Sequence, residues 1–172
     1  PDAQLRIVTT LSHEIHFEQK GIDLAILSDS LEDQRYISSR LFETNLVPVC
    51  RPDYLPPNTL ISDVADWQNA LLHCETRPKD WERWSNANGI HVDTKRGQWF
   101  ENASMMYEAA MSGLGIAIGI EALLDREFSS NRLAHAFSDN KAIVCPFSVI
   151  RPKATETHPL FPTFMSWLQQ EI

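Results

Sequence analysis

The sequence predicts an α/β protein with a parallel sheet that is covered by helices and divided into two lobes. Strand-like apolar segments alternate with helix-like segments over most of the 172 residues, the order typical of parallel sheets with helices on both faces. Two proline-flanked apolar segments, "VPVCRP" at 47–52 and "CPFSVIRP" at 145–152, are suited to carry the chain from one lobe to the other and back. Two lobes joined in this way leave a cleft, where small ligands usually bind.

The composition is that of an ordinary globular protein, with 43% hydrophobic and 22% charged residues. The formal net charge of -8 disfavours direct binding to nucleic acid or to an anionic membrane, because both need clustered positive charge. No apolar run is long enough to span a bilayer. Cys50, Cys74 and Cys145 have no metal-like spacing and indicate reduced thiols in a cytoplasmic protein.

The first elements are predicted from apolar patterns. "LRIVT" at 5–9 alternates as a half-buried strand, and "IDLAIL" at 22–27 has the continuous apolar character of a strand covered on both faces. "LVPVC" at 46–50 is a third strand, which Pro48 restricts to a sheet edge or a crossing connection. Ser62 in "SDVADW" is expected to cap a helix.

A strand and a helix follow. "ALLHC" at 70–74 is strand-like, and in "RPKDWERWSNANG" a helix is expected to start at Pro78 and to end before Gly89. Trp81 and Trp84 are three residues apart, so we predict that they lie on the core face of this helix rather than in a ligand cage.

The segment "EAAMSGLGIAIG" at 108–119 looks like part of a phosphate-binding loop, but its order is reversed. A dinucleotide loop runs from a strand through glycines into a helix. Here a helix with Asn102 or Ser104 as its cap runs into the glycines, and a β-branched strand follows. We therefore predict a structural turn, with Gly113 as the left-handed residue that ends the helix and Gly115 at a close backbone approach.

The last third of the chain contains several shorter patterns. "RGQWF" at 96–100 predicts a short strand, "EALLDREFSS" at 121–130 a helix, and "NRLAHAF" at 131–137 and "AIVCPFSVI" at 142–150 two strands. An amphipathic helix closes the sequence, with Pro162 near its start and apolar residues at helical spacing: Phe161, Phe164, Met165, Leu168 and Ile172.

The order of these motifs resembles the effector-binding domain of LysR-type transcriptional regulators, in particular the branch of the glycine-cleavage activator and the β-lactamase regulator. The resemblance spans nearly the whole chain and is carried by "LRIVTT", "FEQKGIDLAI", "LVPVCRPDYL", "LLHCETRPKDWERW", "WFENASMMYEAAMSGLGIAIG", "RLAHAF" and "FPTFMSWLQQE". It implies two Rossmann-like subdomains joined by two crossover strands, related to type II periplasmic binding proteins. Subdomain I would be residues 1–49 plus 148–172, and subdomain II would be residues 50–147.

This sequence departs from the family pattern in two places. Family members begin this domain with a strand and a helix before "LRIVTT", preceded by a winged helix-turn-helix and a linker helix. The resemblance therefore implies a fragment whose first subdomain lacks its first strand. Where this branch commonly carries an arginine after "DLAI", the chain has Leu27 and Ser28.

Candidate effector-binding residues follow from the ends of the predicted elements. Ligands of such folds bind at the carboxyl ends of strands and at helix N-termini. Thr10 and Ser28 end the first two strands, and Asn102 and Ser104 stand at a helix start, although each side chain also suits a plain cap or turn. The resemblance adds two residues to this set, His16 and Phe147.

Metal binding and catalysis are weaker hypotheses. His13 and His16 have no identifiable carboxylate or thiol partner, so no metal is expected, and no other cofactor is expected. Protonation of His16 would make binding sensitive to pH, but a solvated histidine is the simpler interpretation. His73 and Cys74 are neighbours on a strand and point to opposite faces, which places them poorly as base and nucleophile.

Three classes of function remain. The first is a non-enzymatic cytoplasmic sensor that binds a small-molecule effector in the cleft. The resemblance implies that this domain forms a homodimer and the full-length protein a tetramer, with no membrane partner and with DNA bound only through an N-terminal domain outside this chain. The second is a solute-binding protein of a transporter, disfavoured by the unpaired cysteines and the lack of an export signal. The third is an enzyme, which would need a convergent nucleophile, base and oxyanion site.

Overall fold

The computed structural model describes residues 5–9, 15–28, 33–64, 66–153 and 158–171. The elements in chain order are α1 (Phe17–Lys20), β1 (Ala25–Ser28), β2 (Tyr36–Cys50), β3 (Leu71–Cys74), α2 (Asp80–Asn88), β4 (Gln98–Phe100), α3 (Ala103–Met111), β5 (Ile116–Ile120), α4 (Asp125–Ser129), β6 (Ala134–His135), β7 (Ile143–Pro152) and α5 (Phe161–Gln170). Among the described helices, none has both the length and the apolar character needed to cross a membrane.

The chain forms two compact units. Unit 1 comprises Pro1–Glu43 and Cys145–Ile172, and unit 2 comprises Thr44–Val144. Two long strands, β2 and β7, run across the boundaries of these units. The fold is therefore the α/β architecture of two subdomains joined by two crossover strands. The predicted segment at 145–152 lies in β7, where the chain returns to unit 1. The predicted segment at 47–52 lies wholly in unit 2, because the chain enters that unit earlier in β2, at Thr44, and β2 ends at Cys50.

The sheet of unit 2 is mixed, which corrects the prediction of an all-parallel sheet. β3 runs parallel to both β4 and β5, because α2 and α3 provide the helical connections that parallel strands need. The second half of β2 pairs antiparallel with β5, and β6 also pairs antiparallel with β2. β2 is connected to β3 through two 3₁₀ turns and, within the described residues, no α-helix, whereas β6 follows β5 through α4 and runs parallel to β5 on the other side of β2. The rule of alternating strands and helices therefore applies from β3 to β6 but not to β2.

A buried aromatic cluster forms part of the core of unit 2. Trp81 and Trp84 of α2 are 1% and 0% exposed, as predicted for a core face. Their rings lie 5.5 Å apart at right angles, and Trp67 packs against both. The indole nitrogen of Trp81 donates to the backbone oxygen of Leu72, 3.0 Å away. Because a buried N–H needs a partner, this bond fixes α2 on β3 in one register.

The glycine segment is a structural turn, as predicted. α3 ends in the backbone bonds Gly113 N to Ala110 O and Leu114 N to Ala109 O, and Gly113 has a φ of 81°. A Cβ atom at Gly115 would lie 2.1 Å from the backbone oxygen of Ala70, so only glycine allows this close approach. The order of helix, turn and strand excludes a dinucleotide loop at this point.

β1 is an edge strand of the seven-stranded sheet and belongs to unit 1. It pairs antiparallel with β7, from Ala25 opposite Ile150 to Ser28 opposite Phe147, and β7 in turn pairs with β2. α1 ends at Gly21, which adopts the left-handed conformation. The predicted C-terminal helix is confirmed as α5, with Pro162 in its first turn, whereas Ile172 lies outside the described residues.

Two predictions for the start of the chain are wrong. Residues 5–9 form no strand, and the side chains of Leu5, Ile7 and Val8 are exposed. An alternating pattern needs a neighbouring strand to bond with, and among the described residues β1 pairs only with β7. β1 itself begins at Ala25 and is partly exposed along its length, so it is not covered on both faces.

Several element boundaries also differ from the prediction, among them the start of β2, which lies at Tyr36 rather than at Leu46. Ser62 lies inside a 3₁₀ turn, Ile61–Asp63, in which the Asp63 carboxylate accepts from the backbone nitrogen of Leu60 at 2.9 Å. The predicted helix at 121–130 is divided into a 3₁₀ turn, Glu121–Leu123, and α4. Within 131–137 only β6 is paired, and α2 begins two residues after Pro78.

Candidate functional site

The carboxyl edge of the parallel strands in unit 2 brings one pair of predicted residues together. β3, β4 and β5 run in the same direction, so their carboxyl ends, Cys74, Phe100 and Ile120, lie at one edge of the sheet. α3 begins immediately after β4 at this edge. Asn102 is its N-cap, and Ser104 lies exposed in its first turn. This arrangement places polar side chains beside the positive end of the helix dipole.

The N-cap hydrogen bond uses only the oxygen atom of the Asn102 side-chain amide. Its oxygen accepts a hydrogen bond from the backbone nitrogen of Met105 at 3.0 Å, which satisfies one of the free donors of the first turn. No hydrogen bond among the described residues uses its amide nitrogen, so a donor remains for a bound molecule. Asn102 is partly buried and Ser104 is exposed, so both are accessible within unit 2.

A buried polar network lies behind this edge, and the sequence did not predict it. The Arg77 side chain is 12% exposed and follows the end of β3. One of its terminal nitrogens donates to the Tyr107 hydroxyl at 3.1 Å and to the backbone oxygen of Ile118 at 2.9 Å. Its other terminal nitrogen lies 3.2 Å from the Asp80 carboxylate. The signals that would have suggested the network are the Arg–Asp spacing of i,i+3 at a helix start and a tyrosine in an otherwise apolar helix.

Burial and the neighbouring groups together shift the pKa values of two residues in this network. Burial acts to lower the pKa of Arg77, but Tyr107, Asp80 and Cys74 together raise it above its ordinary value. Burial raises the pKa of the Tyr107 hydroxyl, against the opposing effect of the neighbouring guanidinium. Arg77 is therefore charged and Tyr107 neutral at physiological pH, so the phenol oxygen accepts hydrogen bonds as an uncharged group.

The candidates of unit 1 occupy adjacent strands and a helix start. Ser28 of β1 and Phe147 of β7 are directly opposite in the strand register, which places both on one face of the sheet. The ring of Phe147 stacks on Phe42 of β2, with centroids 4.7 Å apart and planes at 7°, and Phe42 was missed by the sequence analysis. His16 precedes α1, is exposed and does not cap that helix with its side chain. Thr10 lies outside the described residues.

The residues considered for catalysis have separate partners. The His73 ring nitrogen Nε2 lies 2.6 Å from the backbone oxygen of Arg96, and the ring stacks on Trp99 at 4.5 Å. Cys74 Sγ instead lies 3.0 Å from the Thr76 hydroxyl. Within the described ranges, no group of three or more His, Cys, Asp or Glu side chains is placed to hold a metal ion.

Unit 2 also has a pocket of about 290 Å³, on a different part of its surface. It contains none of the predicted site residues. Burial, with a smaller effect of Asp53, raises the pKa of Cys50 in its wall to about 11, so this thiol is not a nucleophile at neutral pH. The pocket is lined by Cys50, Pro52, Leu55, Pro56, Pro57, Asn58, Thr59, Ala134, His135, Ala136, Phe137 and Ser138.

Comparison with known proteins identifies similar sequences. A family model described as the LysR substrate binding domain matches residues 1–172. The chain is 23% identical over 183 residues to the HTH-type transcriptional regulator DsdC of Escherichia coli K12, an alignment that covers 100% of this chain and 57% of that protein. It is 28% identical over 102 residues to the glycine cleavage system transcriptional activator of the same strain, covering 58% of this chain and 33% of that protein.

A solved structure has the same fold. The effector domain of the transcriptional regulator AmpR of Pseudomonas aeruginosa superposes with a TM-score of 0.84 and 23% identity, covering 99% of this chain and 81% of that one. At 23% identity, this similarity shows a shared fold and nothing more. The chain spans less than two thirds of the length of the first curated relatives that it matches, 57% of one and 58% of another.

Proposed function

Because this chain belongs to the LysR substrate-binding domain family, we propose that it is the effector-sensing domain of a transcriptional regulator. The observation that carries the choice of site is the capped start of α3 at the carboxyl edge of the parallel strands, where Asn102 and Ser104 lie together. We propose that a small effector contacts these two side chains in unit 2. The candidates of unit 1, which are Thr10, His16, Ser28 and Phe147, stay predictions about the same function.

The proposal has consequences for the whole protein. The effector has to bind two conformations of the regulator with different affinities, because equal affinity would shift no equilibrium. We propose a cytoplasmic, non-enzymatic protein that dimerises through this domain, forms a tetramer when complete and binds DNA through an N-terminal domain. We also propose that residues 1–49 plus 148–172 and residues 50–147 act as its two regulatory subdomains.

The chemistry of the site favours an effector with a carboxylate or another anionic oxygen group. The amide nitrogen of Asn102, the hydroxyl of Ser104 and the N–H groups at the start of α3 that Asn102 does not bond are donors. One relative in this family is a glycine cleavage system transcriptional activator. Amino acids, which carry a carboxylate, are therefore the first class to test.

The test is a thermal-shift and calorimetric screen of the twenty protein amino acids against the wild type and the double variant Asn102→Ala with Ser104→Ala. We expect the double variant to remain folded and to lose the response to any amino acid that stabilises the wild type. Ser130→Ala is a matched control, because it removes an exposed hydroxyl that bonds to Arg126 O within α4. Equal affinity of the double variant and the control for such an amino acid would refute the site.

A further inference from the structure

The apolar face of α3 packs in the core of unit 2, and one tyrosine hydroxyl group adds polar contacts between this helix and its neighbours. Tyr107 lies on α3 five residues after Asn102. Its hydroxyl oxygen accepts from the backbone nitrogen of Ile120 at 3.2 Å and from the guanidinium of Arg77 at 3.1 Å. Ile120 is the last residue of β5. The hydroxyl therefore links the helix directly to the end of the neighbouring strand.

Arg77 extends this link to the other elements of the edge. Its guanidinium bonds to Ile118 O of β5 and pairs with Asp80, the first residue of α2. Its own backbone nitrogen bonds to Cys74 O at 2.9 Å, at the end of β3. Hydrogen bonds are directional, and the Arg77 and Asp80 side chains are only 12% and 11% exposed, so these bonds add distance and angle constraints to those of the apolar packing.

We propose that Tyr107 and Arg77 are positioning residues for the effector site, because they hold the first turn of α3 at a fixed height above the sheet edge. This inference rests on the proposed function of Asn102 and Ser104. Without the two hydrogen bonds of the Tyr107 hydroxyl, the distance between the first turn of α3 and the sheet edge varies. Only a fraction of the molecules then has the side chains of Asn102 and Ser104 in the binding geometry. The apparent dissociation constant rises as the inverse of that fraction, so a fall to about one tenth weakens binding about tenfold.

The first experiment needs no ligand. Amide hydrogen exchange measured by NMR reports on the Met105 amide, which is bonded to the cap, and on buried β3 amides such as that of Leu72. We expect Tyr107→Phe, which keeps the ring and removes the hydroxyl, to speed exchange at Met105 by about tenfold more than at Leu72. Tyr54→Phe is the matched control, because Tyr54 is a half-buried tyrosine of the same unit and lies in the connection between β2 and β3, outside α3. General loss of stability would speed exchange at the buried Leu72 amide at least as much as at Met105. Unchanged exchange, or an acceleration at Met105 no larger than that at Leu72, would therefore overturn the positioning role.

The second experiment separates this inference from the proposed function. The wild type, Tyr107→Phe, Arg77→Lys and Asn102→Asp are titrated with the twenty protein amino acids at a temperature where all four are folded. Weaker binding by Tyr107→Phe and Arg77→Lys supports the positioning role. Wild-type affinity in these two, together with loss of binding in Asn102→Asp, overturns the positioning role and leaves the effector site intact.

Discussion

The N-cap of α3 allows the stability of unit 2 to be separated from effector binding. In Asn102→Ala the acceptor for Met105 N is lost, which costs about 1 kcal/mol of folding free energy. For a chain of 172 residues this lowers Tm by about 2–4 °C. Asn102→Asp keeps an acceptor at the same place and adds a negative charge at the helix N-terminus, which stabilises by about 0.3–1 kcal/mol. We therefore expect the Asp variant to melt at or slightly above the temperature of the wild type.

Binding is expected to follow the opposite order. Both substitutions remove the amide donor of Asn102, and a hydrogen bond to a charged group contributes about 1.5–3 kcal/mol. Since about 1.4 kcal/mol corresponds to a factor of ten, the Ala variant should bind a carboxylate effector about 10- to 150-fold more weakly. The Asp variant should bind more weakly still, because its carboxylate repels that of the effector. The variant with the best stability would thus be the one with the poorest binding.

The assay is differential scanning calorimetry for Tm and isothermal titration with the amino acids that stabilise the wild type. Asn131→Asp is the control for the titration, because it makes the same chemical change at an exposed position after the C-terminal end of α4. Its Tm is not compared, since a carboxylate there lies at the negative end of the helix dipole. The reasoning would be refuted if the Asp variant of Asn102 bound as well as the wild type. An affinity that simply followed Tm through the series would refute it equally.

Three further predictions concern the structure of unit 2. Trp81→Phe leaves Leu72 O without its donor at 3.0 Å and reduces the buried volume. We therefore expect the free energy of unfolding, measured with denaturant, to fall by about 2–4 kcal/mol. A fall of less than about 0.5 kcal/mol would contradict the assigned contact. Burial lowers the pKa of His73 in the folded protein despite its bond to Arg96 O. Below pH about 6.5 the unfolded chain therefore binds a proton more readily than the folded protein does. The stability that neutral His73 contributes above this pH is lost as the pH falls through the folded pKa. His73→Phe should flatten this part of the stability profile, and an unchanged profile would exclude His73 as its source. Gly115→Ala places a Cβ 2.1 Å from Ala70 O, and a Tm equal to that of the wild type would show that this close approach does not exist.

Much of unit 2 could be predicted because its signals are local. The glycines after α3, the β-branched run of β5 and the paired tryptophans of α2 each specify an element through their own backbone preferences or periodicity. The pattern at 5–9 failed for a physical reason. Alternation shows that a segment is able to be a strand, but the strand forms only where a neighbour supplies hydrogen bonds.

Some residues of the candidate site can be predicted from a short segment of sequence, whereas others depend on contacts between distant strands. Asn102 and Ser104 could be named as candidates because a helix start is a property of a short segment, and Asn102 is indeed the N-cap of α3. Phe42 was missed because its partner Phe147 lies on the distant strand β7, and no spacing within β2 indicates that stacking.

The sequence by itself determined the α/β class, the two crossover strands, the structural nature of the glycine turn and the start of α3, because all of these depend on residues close together in the chain. Only the tertiary structure decided what lies behind that helix start. Arg77 reaches a hydroxyl 30 residues away and a backbone oxygen 41 residues away. Such a network exists only after the strands have aligned their carboxyl ends, since burial at that edge is what makes each of its polar groups require a partner.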